Sequence, residues 1–565
     1  GRIWVGTPKE LAFWDGKKFS NMTPTNGESG INVLHLAPAV DGGIWVRTPG
    51  WLRKCDNRHW SVEASLANLE LKESQFPLWI YPDIQGGAWL IKYGSGLWHV
   101  DLSGKVSNIG LDQGLPSNLI ECWLQDREGN MWVGLVGGGL ACVRQRVFHV
   151  VWPSKLQTAL ATRSVCQNTN GEMWFGTSGD SVLQWADGKF DKRTPPQDKI
   201  AGADTTVCSD GQGRMWVGTV QNGVWIFETN SFRRPFSSEE IGTVVRALFC
   251  DHLGRMWIGN EFGLYCWDHE RLKRFTAADG FAPAYVLAIT EDDAGTLWLG
   301  TAVGELRSYR DGKFTAYRPA DALGARHAMA RENSVNAEST ARGSLSGGER
   351  FWAIHADHQG ILWIGTLGGG LLRFKDGHFA RYTTLQGLPN EHVSQILEDG
   401  RGQFWLGTRS GITRITRAAL EAYAQGKIET IPFATYGKFD GLPTIECSGG
   451  YQPSCWAGTD GRLWFATLKG AVWVNPETLP FNPLPPPVWL EEMRVDKKVV
   501  YEMHSEPRSQ TKLTNQLRRV IRPDTGSLQI AAGQHFYEFK FTALSLVSPD
   551  KVRFKWRLHG AEQEW

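Results

Sequence analysis

The chain has 565 residues, enough for several domains, and sets 60 Lys and Arg against 59 Asp and Glu, a balance that marks no nucleic-acid or anionic-membrane partner. Its 27 tryptophans are an unusual load, while its nine cysteines show no C-x-x-C spacing, so neither a zinc site nor a redox compartment is signalled. No run of about 18 apolar residues and no charged-then-apolar leader is present.

From its first residues the chain is repetitive. The segment "GRIWVGT" holds Trp4, and its pattern returns at Trp45, Trp89, Trp132, Trp174, Trp216, Trp257, Trp298, Trp363, Trp405 and Trp464. These eleven copies stand 41 to 44 residues apart, except for gaps of 65 and 59 that hold insertions. A fixed period of this length marks one supersecondary unit stacked many times.

Within a copy, "HVSQILED" alternates apolar and polar residues as a half-buried strand does, and "QFWLGT" and "ITRI" follow as second and third strands. In the preceding copy "LLRF" and "FARY" are the third and fourth. Between the first two strands stands D-x-x-G: Asp126/Gly129, Asp210/Gly213, Asp251/Gly254, Asp292/Gly295, Asp357/Gly360 and Asp399/Gly402. That spacing suits a type I turn opened by Asp. Between the last two strands stands Asp-Gly, at Asp15, Asp187, Asp311 and Asp376, a strong hairpin signal.

Each copy is therefore predicted to form a four-stranded antiparallel meander. Such a sheet buries both faces only when its neighbours pack radially, which makes the fold all-β and built of β-propellers. Burying one tryptophan of roughly 150–250 Å² contributes on the order of 4–6 kcal/mol per blade before entropy. A ring holds four to eight blades, so eleven require two rings. The glycine triplets Gly137–Gly139 and Gly368–Gly370 lie between second and third strands. No helix or G-K-[ST] follows them, so they read as turns and no nucleotide or other cofactor is expected.

Further along, residues 319–350 form an Ala-, Ser-, Arg- and Glu-rich insertion in a fourth-to-first connection; its composition reads as disorder, or as a lid over a ring mouth. "RAALEAYAQGK", from Arg417, reads as a short surface helix. Cys122, Cys166, Cys208 and Cys250 precede repeat tryptophans in first strands and read as small core residues. Cys447 and Cys455 stand near enough in sequence to pair, although spacing alone does not show it. His355 and His358 fall at a strand end and in a turn, so they point apart and do not read as metal ligands. Trp14, Trp98, Trp185, Trp225, Trp267 and Trp473 share the third strand, where core packing outweighs stacking on a sugar.

The pattern G-x-L-W-[IV]-G-T, G-G-L-x-R-F, D-G-x-F-x-x-Y-T-T, G-L-P-N and I-L-E-D resembles the two-component regulator propeller repeat. The Gly-Leu-Pro loop recurs at Gly114, Gly387 and Gly441. "NPLPPPVWLEEMRVD" is similar to that family's exit linker, and "LQIAAGQHFYEFKFTALSLVSPDKVRFKWRLHGAEQEW" resembles the start of its three-Tyr domain, an immunoglobulin-like β-sandwich. The resemblance implies two seven-bladed rings. Residues 1–152 are then the last four blades of a first propeller, 153–483 a complete second propeller, and 484–565 the linker and the start of the sandwich. On this reading three blades lie upstream of Gly1 and the later sandwich strands lie beyond Trp565.

The resemblance also implies a function: the periplasmic ligand-sensing half of a membrane receptor. Its output, usually a histidine kinase, and its membrane segment would lie outside this chain, which would itself be no enzyme. The ligand would be an oligosaccharide or another small polar molecule, and the sandwich would pair two copies near the membrane. Antiparallel strands put the second-to-third and fourth-to-first loops on one face of a ring, and that face is chemically diverse. Its candidate ligand residues are Lys92, Tyr93, Asp180, Gln221, Asn222, Asn260, Glu261, Glu305, Arg409 and Lys469, with Lys9, Glu10 and Arg47 in equivalent loops. Two other readings stay open. One is a tandem-propeller glycoside hydrolase, with Asp180, Glu261 and Glu305 as its candidate carboxylates. The other is a protein-interaction scaffold.

Overall fold

The computed structural model describes residues 3–22, 31–56, 59–67, 78–144, 146–152, 161–179, 181–194, 204–268, 270–319, 350–479, 482, 484–502, 535–547, 549–552 and 554. The chain divides into two compact units, Gly1–Gln145 with Phe481–Trp565, and Arg146–Pro480. Nearly all regular structure is antiparallel sheet, as the repeat pattern predicts. The core of the 319–350 insertion lies outside the described residues.

In the second unit, seven four-stranded sheets follow one another, each named here for its repeat tryptophan. The innermost strands, Thr162–Gln167, Thr205–Ser209, Val245–Cys250, Val286–Glu291, Phe351–Ala356, Val393–Glu398 and Cys455–Ala457, neighbour each other in that order, and the last returns to the first. The ring is thus closed. Its clasp is the Trp464 sheet, whose outer strand is supplied from the start of the unit: His149–Val151 pairs antiparallel with Ala471–Trp473. Those three residues were assigned to the first ring from sequence. They belong to the second, because a strand donated from the other end of the chain closes the circle with backbone hydrogen bonds.

The repeat tryptophans fill the gaps between blades. Trp174, Trp216, Trp257, Trp363, Trp405 and Trp464 are at most 1% exposed. Trp216 packs with Val245 and Leu248 of the next blade, Trp257 with Val286 and Ile289, and Trp464 with Val165 and Phe175 across the closure.

The D-x-x-G aspartate does more than open a turn. Its Oδ1 accepts backbone amides inside the turn, as from Leu253 and Arg255 onto Asp251. Its Oδ2 accepts the indole N–H of the tryptophan six residues on, at 2.8–2.9 Å for Asp126, Asp210, Asp251, Asp292, Asp357 and Asp399. One carboxylate thus fixes both the turn and the side chain that seals the next gap. The Trp174 blade carries Asn168 instead, whose amide donates to Glu172, and the Trp174 indole nitrogen is buried without a partner among the described residues. The Asp-Gly hairpins adopt left-handed conformations, with φ near +50° at Asp187, Asp311 and Asp376. The glycine triplet is punctuation, as read: Gly370 has φ +78°, and a Cβ there would stand 2.0 Å from the Tyr382 carbonyl oxygen.

The first unit holds a three-stranded Trp4 sheet, four-stranded Trp45 and Trp89 sheets and a three-stranded Trp132 sheet. Cys122, read as a core residue, is exposed there. A further antiparallel sheet joins Lys498–Glu502, Val488–Val495 and Tyr537–Ala543. It is tied to the Trp132 blade through the two variable positions of that blade's D-x-x-G turn. Glu128 accepts from the Val547 amide at 3.1 Å and from the Leu546 amide, and its other oxygen accepts from the Asn482 side chain at 2.9 Å. Arg127 and Arg144 donate to the Leu544 and Val547 carbonyls.

Candidate functional site

The loop face of the second ring is built by two devices. The first is a β-bulge where an innermost strand meets that face. Register shifts fall between Thr162 and Ser164, Val245 and Ala247, Val286 and Ala288, Phe351 and Ala353, and Val393 and Gln395. The extra residues are Arg163, Arg246, Leu287, Trp352 and Ser394. A bulge leaves its residue unpaired and re-aims its side chain.

The second device is the segment Glu446–Ser454, which crosses the ring's centre. Gln452 donates its backbone N–H to the Arg246 carbonyl at 2.8 Å and accepts from the Thr206 hydroxyl at 2.6 Å, while its side chain pairs with the Ile289 backbone. The Pro453 carbonyl accepts from Val165 at 3.0 Å and from the Ser164 hydroxyl at 2.6 Å. Ser448 accepts from the Gln395 side chain at 2.9 Å. Gly449 lies against Trp352, where a Cβ would come within 2.3 Å of the indole. Cys447, buried inside this segment, and Cys455, partly buried just after it, are free thiols, and desolvation pushes the pKa of both up to about 12.

Tyr451 stands where the two devices meet. Its hydroxyl donates to Asp204 Oδ2 at 2.5 Å, and Asp204 Oδ1 accepts from Arg163 Nε at 2.9 Å. The Arg163 and Arg246 guanidiniums lie 5.5 and 5.1 Å from the Tyr451 ring centre. Burial raises the Tyr451 phenol's pKa, and the Asp204 carboxylate adds to the effect. Arg246 is also 5.9 Å from the Tyr285 ring centre. Burial raises the Tyr285 pKa too, with Glu261 and Arg350 among the charges that act on it. Glu261 Oε1 accepts from the Val244 amide at 3.3 Å. Around this point three buried polar atoms have no hydrogen-bond partner among the described residues: Arg246 Nε, Tyr285 OH and Glu261 Oε2. A donor, an acceptor and a hydroxyl in one place are equipped to meet a polar group.

Of the residues selected from sequence, Glu261 joins this cluster. Asn260 is fully buried and spent on the scaffold: its Oδ1 accepts from Phe262 and Gly263 at 2.8 and 2.9 Å, and its Nδ2 donates to the Ile241 carbonyl. Glu305 is buried between Arg307 and Arg318, with Nε contacts of 2.6 and 3.0 Å. Asn222 sits in a turn closed by Thr219, its amide donating at 2.8 Å. Gln221, Arg409 and Lys469 are exposed loop residues. Lys92 is buried and Tyr93 exposed in the first unit. Asp180 lies outside the described residues. Arg163, Asp204, Arg246, Tyr285 and Tyr451 were missed. The signal available was position: charged or aromatic residues one to three places before the conserved-looking apolar core of each first strand, as in "TRSVC" and "VRALFC".

His355 and His358 do not converge: His355 faces Glu398 at 3.3 Å and His358 faces Asp293 at 2.9 Å. Among the described residues no group of three or more His, Cys, Asp or Glu side chains is placed to hold a metal ion, and no described helix is long and apolar enough to cross a membrane.

Residues 114–137, 344–368 and 387–410 match the two component regulator propeller family. The chain carries two-component regulator propeller repeats. The extracellular domain assigned to the hybrid two component system BT3049 of B. thetaiotaomicron shares the fold of this propeller protein. The TM-score is 0.62 at 20% identity, over 97% of this chain and 69% of that one. The BT4673 extracellular domain from the same organism matches at 18% identity and a TM-score of 0.27, over 85% and 63%. Virginiamycin B lyase from Staphylococcus aureus matches at 12% and 0.43, over 58% and 98%. These last two likenesses are too low to carry an argument. No curated protein matches the propeller chain in sequence.

Proposed function

We propose that this chain is the extracytoplasmic, periplasmic ligand-sensing region of a transmembrane signal-transduction receptor, a two-component sensor kinase or a relative of one. Its ligand is an oligosaccharide or another small polar molecule. The observation that carries the reading is a ring of two-component regulator propeller repeats whose loop face gathers Arg246, Glu261 and Tyr285 with unspent hydrogen-bonding capacity. A sensor needs a ligand that binds one arrangement better than another and a mechanical link to its output. The Glu128 contacts tie propeller to sandwich in the first unit and supply such a link. The sandwich then pairs two receptor copies beside the membrane.

The hydrolase reading is disfavoured by Glu305. Both oxygens of this carboxylate are engaged by the Arg307 and Arg318 guanidiniums, which leaves neither free to reach a glycosidic oxygen. A thermal-shift screen with oligosaccharides of varied charge tests the proposal. A true ligand at a hundredfold excess over its Kd stabilises the fold by about 2.7 kcal/mol. Arg246→Ala and Glu261→Gln should abolish that shift without lowering the basal Tm by as much. Release of reducing sugar from a polysaccharide would replace the sensor with an enzyme.

A further inference from the structure

The turn face of the second ring contains one gap unlike its neighbours. Trp298 is partly exposed, and beside it lies a cavity of about 260 Å³ lined by Asp292, Trp298, Tyr317, Phe374, Lys375 and Asp376, among others. Three other blades show what can occupy such a place, whereas Asp399, with Gln403 four residues on, has no guanidinium partner among the described residues. Arg255 pairs with Asp251 through Nε at 2.6 Å and lies 5.3 Å from the Trp257 ring centre. Arg214 pairs with Asp210 in the same way at 2.7 Å. In the Trp363 blade the guanidinium comes from the next blade, with Arg417 Nη1 3.4 Å from Asp357 Oδ2. Each of these indole–carboxylate pairs holds a guanidinium supplied by the chain itself.

At Asp292 both supplies fail. The residue four places on, Arg214 and Arg255 in the other blades, is Thr296. The residue of the next blade that corresponds in sequence to Arg417 is Asp376. A second carboxylate thus lines the niche where a cation should reach in. The aromatic walls are ordered: Trp298 and Phe374 meet edge to face at 5.6 Å, and Tyr317 and Phe374 at 4.9 Å. Lys375 lines the same cavity, and among the described residues its ammonium makes no salt bridge to Asp292 or Asp376.

We propose that the Asp292–Trp298 niche binds a guanidinium group on an alkyl stem, presented by an arginine side chain of a partner protein. The planar, delocalised cation stacks on the indole and accepts the charge of Asp292 and Asp376, as Arg255 does within its own blade. This site lies on the face opposite the sensing loops and does not depend on the proposed ligand there.

Calorimetric titration of the 565-residue chain with N-ethylguanidinium, L-argininamide and the peptide Gly-Arg-Gly tests it. Binding is expected in the millimolar range, weaker at high salt, and weaker for a lysine-containing control peptide. Asp376→Asn, which keeps a residue tolerant of the left-handed turn, should weaken binding about tenfold. Thr296→Arg should supply the missing guanidinium from within, abolishing binding and raising Tm by a few degrees. No binding by the unmodified chain, or equal binding by all three proteins, would overturn the proposal. Preference for the small cations over the peptide would overturn the protein-partner assignment.

Discussion

The two faces of the second ring are made of the same strands and obey different rules. On the turn face one short pattern, D-x-x-G-x-x-W, repeats the same three bonds in blade after blade, and the carboxylate, the amides and the indole are all local in sequence. On the loop face the backbone devices repeat, a Thr hydroxyl closing most second-to-third loops, but the side chains they present do not. Bulges turn out five unlike residues, and a segment from the last blade crosses to meet them. Periodic local contacts make a scaffold; contacts between residues as far apart as Arg163 and Tyr451 make a site. At Trp298 the same three bonds are made, and what sets that place apart is an indole left partly exposed beside a cavity.

The largest test of this contrast removes a seal. Trp257→Ala should cost about 3–5 kcal/mol in urea unfolding, because a fully buried indole leaves a cavity and an unmet Asp251. Trp298→Ala, starting from a partly exposed indole beside an existing cavity, should cost about half as much. Equal losses would erase the distinction between these blades.

Glycines separate the faces next. Gly449→Val drives a side chain into Trp352 and should cost about 2–3 kcal/mol while disturbing the Tyr451 environment, visible in near-ultraviolet circular dichroism. Gly360→Ala on the turn face meets nothing within 4 Å and should cost only about 1 kcal/mol for its positive φ.

A third test is alkaline. Cys447 and Cys455 keep their protons in the folded state up to about 12, whereas in the unfolded chain they ionise near 9. Above pH 9 the unfolded state therefore binds fewer protons than the native one, and stability falls as pH rises toward 12. The loss should reach about 1.4 kcal/mol per thiol at pH 10. In Cys447→Ser with Cys455→Ser, urea midpoints between pH 8 and 10 should lose a part of the alkaline slope, the remainder resting on Cys208, Cys250 and Cys266, whose thiols are raised as well. A slope unchanged in the double variant would place the alkaline sensitivity elsewhere.

The smallest effect restores a missing bond. Asn168→Asp with Glu172→Arg reproduces the Asp251–Arg255 arrangement, gives the Trp174 indole an acceptor and should stabilise by about 1 kcal/mol. No gain would show that the indole–carboxylate bond is dispensable to the turn face.

The repeat, its turns and its tryptophan seams were legible because each is a local rule with a short period. Asp-Gly between two strand patterns closed a hairpin at Asp187, Asp311 and Asp376, and helix Arg417–Ala424 began where its sequence said. The ligand face was legible only as a region. Choosing polar residues from loop tips selected Asn260 and Glu305, which the fold consumes, because a loop sequence does not reveal whether a polar side chain caps its own turn or binds an arginine. Arg163 and Arg246 sat inside strands, where alternation assigns them to a face but cannot announce a bulge.

By itself, then, the sequence determined the unit, its strands and a succession of sheets too long for one ring, since those follow from nearest-neighbour chemistry and burial of one indole per sheet, while the number seven came only with the family resemblance. Tertiary structure alone decided how the circle closes through His149–Val151, that Glu446–Ser454 spans the centre, and that the Trp298 indole stands partly exposed beside a cavity shared with the next blade. Each of these joins residues that chain distance keeps apart, and only the folded geometry brings their charges and hydrogen bonds within reach.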